Sequence, residues 1–223
     1  MESSPRRSLA WPWVLGASVF AAVILVANLV AADWASRTGE VAQLVRDIKV
    51  SESVMTKATN HMSAAIEAAG ESPTPAERQK LLDDLQKLSA DSAVELRAAG
   101  LKVINLRIFP WQRSVWTARE AYVSHNAAWQ AFFDGGAADP ESLFVEHPDI
   151  ESTWLTVVET LPLAVPRPDP YDLAERINAI VVDGSQSDSG AEAEPGTPAL
   201  FSTPAPLSNA SQQRSNPLQP LNY

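Results

Sequence analysis

The chain has 223 residues, 27 acidic against 17 basic, a formal net charge of −10 and no cysteine. An acidic excess with the two signs mixed argues against nucleic acid, which requires a basic face, and against tight electrostatic docking on anionic lipid. Without cysteine there is neither a disulfide framework nor a cysteine for lipid anchoring, so an exported domain must rely on its own core or on a partner.

The run Leu9 to Ala32 carries no charge between Arg7 and Asp33. As a helix it extends about 36 Å, enough to cross a hydrocarbon core of about 30 Å with some tilt. Trp11 and Trp13 at one end and Trp34 at the other stand where indole rings prefer the headgroup level, and Arg6 and Arg7 precede the span while the first charge after it is acidic. That bias predicts a single-pass signal anchor over 9–32, with a cytoplasmic stub 1–8 and everything from 33 onward extracytoplasmic. The rival is a cleaved export signal, since Val30-Ala31-Ala32 offers small residues at an acceptable spacing and Arg6-Arg7 suits twin-arginine export. The apolar stretch is longer than a signal core usually is, which favours the anchor.

From Trp34 to Ala69 there is no proline, and Val41, Ile48, Met55, Met62 and Ala69 recur every seven residues, supported by Leu44, Ala58 and Ala65. Ser51 is the polar exception, while Glu40, Asp47, Lys49, Glu52 and Lys57 are assigned to other faces. The pattern predicts one long helix continuing out of the membrane, suited to a bundle or to a two-stranded coiled-coil stalk. Gly70 to Pro75 breaks it. Thr74-Pro75-Ala76-Glu77 then has the form of a capping box with proline at the first helical position. The second helix, with Leu81, Leu82, Leu85, Leu88, Val94 and Leu96 as its apolar side, is expected to stop at Gly100 and to pack antiparallel on the first.

Leu101 to Phe109 is β-branched but has no matching strand elsewhere, so a helix or an extended connector is expected. A central helix is expected from Trp111 to Phe133, ended by Asp134-Gly135-Gly136, with Trp111, Val115, Ala118, Tyr122, Trp129 and Phe133 on one face and Trp116 and Val123 widening it. Beyond Pro140 the chain reads as shorter pieces. These are a turn or two over 141–147, a helix from Pro148-Asp149, an extended run over 162–170, and a last helix ending near Asp183-Gly184. Residues 185–223 are rich in Ser, Pro, Gln and Asn and are expected to form a disordered tail. The domain plan is an all-α exported bundle of about four main helices over 33–184, between the anchor and the tail.

No motif names a chemistry. His61, His125 and His147 have no second ligand at helical spacing, no Gly-x-Ser-x-Gly element or phosphate-cradling glycine loop is present, and the acidic pairs read as solvated helix ends. No cofactor, metal or catalytic set is therefore expected, and no enzyme. His125 lies on the aromatic face, where a hydrogen-bonded core histidine is the ordinary role. The dense aromatic set is first of all core, with Asn126 or Ser114 available as indole acceptors. The sharper reading makes Trp116, Trp129 and His125 a surface for binding a partner.

The leading expectation is a membrane-anchored extracytoplasmic interaction or accessory protein that binds another envelope or membrane protein, with self-association through the heptad stripe a further option. Its rival is an extracytoplasmic ligand-binding bundle, similar in outline to the four-helix sensory domains of membrane receptors, although no motif carries that likeness and the second span such receptors use is not found. An exported enzyme acting on envelope material through His125 is the third.

Overall fold

The computed structural model describes residues 11–70 and 72–186. Arg6, Arg7, the stub 1–8 and the tail beyond 186 lie outside the described residues. The described residues form helices and no strands: α1 (Trp11–Ala69), α2 (Pro75–Ile104), α3 (Arg113–Ala138), α4 (Pro148–Thr160) and α5 (Leu173–Gln186), with 3-10 turns at Pro140–Phe144 and Leu161–Ala164. The fold is all-α.

α1 is a single unbroken helix of 59 residues. Its first part contains an 18-residue window of mean hydropathy 2.4, none of it buried against the rest of the chain. Among the described residues nothing covers that apolar surface, and it is long enough to cross a membrane. From Thr38 onward the same helix enters the bundle. Val41, Leu44, Ile48, Met55, Ala58 and Met62 are all buried, so the heptad stripe is spent on core packing within the chain.

Two contiguous clusters make the core. The nearer to the apolar segment joins Val41, Leu44, Val45 and Ile48 of α1 to Val115, Ala118 and Tyr122 of α3 and to Leu161, Leu173 and Ile177. The farther joins Met55, Ala58 and Met62 to Leu85, Ala93 and Leu96 of α2 and to Phe132, Phe133 and Leu143. The chain therefore runs away from the apolar segment in α1, returns in α2, leaves again in α3 and returns in α4, while α5 packs on the nearer cluster.

Local signals place most boundaries. Thr74 and Glu77 form the expected capping box, and Pro75 opens α2. Four boundaries differ from the sequence expectation. α2 continues through Gly100 to Ile104, α3 begins at Arg113 and runs through Gly135 and Gly136 to Ala138, and α5 reaches Gln186. Gly100 and Gly136 are packing residues instead of stops: a Cβ on Gly100 would fall far inside contact distance of Asn126 Oδ1, and one on Gly136 would collide with Leu143 and Ser89. Val94 faces outward, because the buried face of α2 runs through Leu85, Ser89, Ser92, Ala93, Leu96 and Ala99. Residues 105–112 form the connector between α2 and α3.

Candidate functional site

The most chemically developed part of the bundle is a buried polar chain linking α1, α3 and α4. Tyr122, fully buried, donates its hydroxyl to Glu52 Oε1 at 2.8 Å. Glu52 was expected on an outer face, yet this carboxyl oxygen points inward. Burial pushes its carboxyl up to about 7 against the lowering effect of the Tyr122 hydrogen bond. His125, one helical turn along α3 and 2 % exposed, sits 3.9 Å from the same oxygen.

The hydrogen bonds around His125 fix its tautomer. Trp129 Nε1–H donates to His125 Nε2 at 3.2 Å, so Nε2 must be a bare acceptor and the proton resides on Nδ1. Nδ1 lies 3.1 Å from Thr153 Oγ1, which passes its own proton to the Asp149 carbonyl at 2.6 Å. Desolvation lowers the imidazole to about 4. Above pH 4 the ring is therefore neutral, and below pH 7 Glu52 is neutral too. Burial favours the neutral form of each group, so their 3.9 Å approach is not built as an ion pair.

A second relay runs alongside. Asn126 donates to Ser51 Oγ at 2.7 Å, while Gln130 donates to Asn126 Oδ1. Ser51, the polar interruption of the apolar stripe, is thus a buried acceptor for α3. With His125 as a hydrogen-bonded core histidine, it was the sequence signal that pointed to this network. Glu52, Tyr122 and Thr153 were missed as members, because their convergence depends on three elements.

This arrangement can hold helices in register and can hold a proton on Glu52 near neutrality. Both ring nitrogens of His125 are engaged, so it is not poised as a free base. Next to it, a groove of about 460 Å³ between α3 and the start of α4 is lined by Ser124, Ala128, Phe132, His147, Asp149 and Thr153 among others. Among the described residues, no group of three or more His, Cys, Asp or Glu side chains is placed to hold a metal ion.

The residues singled out in the sequence divide between interior and surface. His125 is interior, and Trp129 is half-buried, packed against Phe132 and Phe133 with ring centroids 5.5 and 5.6 Å away. Its indole acceptor is His125, neither Asn126 nor Ser114. Trp116 is outward, 48 % exposed, with the Arg119 guanidinium over its ring at 5.4 Å. Arg119 also donates to the Leu106 carbonyl at 3.1 Å, in the connector that follows α2.

Trp11 and Trp13 are exposed at the start of α1. At the other end of the apolar run, Trp34 Nε1–H donates to the Pro168 carbonyl at 3.2 Å. Asp33 accepts from Trp111 Nε1–H at 2.6 Å. One turn on, Arg37 donates to Ser114 Oγ at 2.8 Å and to the Ala164 carbonyl at 3.2 Å. The base of the bundle is therefore fastened to α1 immediately beyond the apolar segment. Comparison of the chain with known protein families, with curated proteins and with solved structures finds no match.

Proposed function

We propose that this is a single-pass membrane protein, N-terminus cytoplasmic, whose extracytoplasmic helical bundle binds another membrane or envelope protein. One observation carries the reading. The apolar segment and the bundle share one continuous helix, and on that bundle Trp116 stays exposed under the Arg119 guanidinium. A large exposed aromatic held by an arginine has the composition of an interface anchor. The apolar segment supplies the reason for the membrane, and the charge bias around it supplies the orientation.

The test is a photo-cross-linkable amino acid at position 116 in the full chain, expressed in its native membrane. The expected result is an adduct of one defined mass containing a second protein, absent when the probe is moved to the solvent-exposed Lys57. A probe at 116 that captures nothing beyond the position-57 background overturns the reading.

The groove between α3 and α4 favours a second reading, a small-molecule sensor, because Thr153 both lines it and hydrogen-bonds His125. A ligand there would reach the buried network directly. It should raise the melting temperature of the wild-type chain and not that of a Thr153→Val variant.

A further inference from the structure

The base of the bundle carries exposed aromatic and aliphatic side chains that neither the core nor the Trp116 patch uses. Trp111 is 64 % exposed although its indole N–H is tied to Asp33, and Phe109, 45 % exposed, stacks on it with ring centroids 4.7 Å apart. Leu163 is 69 % exposed, yet its backbone carbonyl accepts from Arg37. Tyr171, 61 % exposed, follows three residues after Pro168, whose carbonyl holds Trp34. Three separate segments of chain that carry these exposed side chains are thus hydrogen-bonded to the stretch Asp33 to Arg37, within about 7.5 Å of helix rise from the end of the apolar run. Arg107, Arg113 and Arg167 are exposed in the same segments.

We infer that this set is a membrane-facing shelf which seats the bundle on the lipid interface beside its own anchor. The inference rests on the spanning role proposed for the apolar segment. Asp33, Trp34 and Arg37 point within an arc of about 100° on α1, so the shelf projects to one side of the helix. Seating it therefore fixes the tilt of the bundle as well as its height. The occupant is lipid, because the shelf is continuous with the uncovered apolar surface of α1. Its pairing of amphipathic rings with arginines is also the chemistry of the headgroup boundary. Net acidity of the chain does not oppose this, since the contact is made by apolar area and not by charge.

The absence of cysteine permits a direct test. Single cysteines at Leu163, at Val23 within the apolar run and at Val94 on the outer face of α2 are each labelled with an environment-sensitive fluorophore. The full chain is reconstituted in phosphatidylcholine vesicles containing lipids with nitroxides at shallow or deep acyl positions. The inference expects Val23 to be quenched by deep nitroxide, Leu163 to be blue-shifted and quenched by shallow nitroxide, and Val94 to be unaffected. Deep quenching at Val23 with a solvent-like Leu163 overturns the shelf while leaving the span intact. A blue-shifted but unquenched Leu163 assigns the surface to protein, including a second copy of this chain, and also overturns it. An unquenched Val23 overturns the span and the shelf together.

Discussion

At the scale of single residues, Glu52 and His125 are perturbed in opposite directions by the same cause, loss of water. Glu52 rises from 4.5 to about 7, so the folded state holds its proton more tightly than the unfolded chain. Its contribution to stability is complete below pH 4.5 and is lost as pH rises towards 7. His125 falls from 6.5 to about 4, so its contribution is complete above pH 6.5 and is lost as pH falls towards 4. Between pH 4.5 and 6.5 the two slopes oppose each other and nearly cancel, and the wild-type protein should show a flat stability profile there. Glu52→Gln should expose the histidine slope, with stability rising with pH, and His125→Gln should expose the opposite slope. Melting temperature of the detergent-solubilised chain against pH reads both, and parallel profiles for the three proteins would refute the opposition. Substitution by alanine at His125 should also cost about 2 kcal/mol, since it strips Trp129 and Thr153 of a buried partner. Little of this was legible beforehand. Ser51 announced a polar point in the stripe, but the inward turn of Glu52 depends on Tyr122, seventy residues away.

Among elements, hydropathy found the long helices because their large apolar residues keep a regular period. Val41, Ile48, Met55 and Met62 in α1 and Val115, Tyr122 and Phe133 in α3 are buried as that period requires. It misplaced ends where small residues do the packing. Gly100 resembles a helix stop in sequence, yet its missing side chain is what lets α2 approach the Asn126–Gln130 relay of α3. Gly39, exposed in the middle of α1, has open space around its Cα position. The same substitution should therefore act with opposite signs at the two sites. Gly39→Ala should stabilise by about 0.5–1 kcal/mol through helix propensity alone. Gly100→Ala should destabilise by about 1–3 kcal/mol, by pushing Asn126 off Ser51. Thermal unfolding followed by circular dichroism separates these outcomes, and equal effects would show that α2 and α3 do not meet so closely. Val94 illustrates the same limit. Counting large aliphatics put it inside, whereas the contact face of α2 joins Leu85 and Leu96 through the small residues Ser89, Ser92, Ala93 and Ala99.

For the molecule as a whole, the unbroken α1 makes the bundle a rigid extension of its apolar segment. Asp33, Trp34 and Arg37 clamp the returning segments to that helix with no linker to absorb rotation. If the apolar segment spans a bilayer as proposed, the height and azimuth of the bundle relative to it are set by helix geometry, and they can be changed one at a time. Inserting two hydrophilic helix formers between Ala32 and Asp33 rotates the bundle by about 200° and lifts it by about 3 Å. Inserting a hydrophilic heptad of Glu, Ala and Lys restores the azimuth to within about 20° but lifts the bundle by about 10 Å. A partner anchored in the same membrane and reaching Trp116 with some freedom in height should lose its cross-link in the two-residue insertion and keep much of it in the heptad insertion. Shallow nitroxide quenching at Leu163 should fall in the heptad insertion, because lift alone removes the shelf from the headgroup layer. Loss of both signals in both proteins would mean that the helix is interrupted at the junction. Retention of both would mean that a flexible hinge, and not α1, joins the two halves.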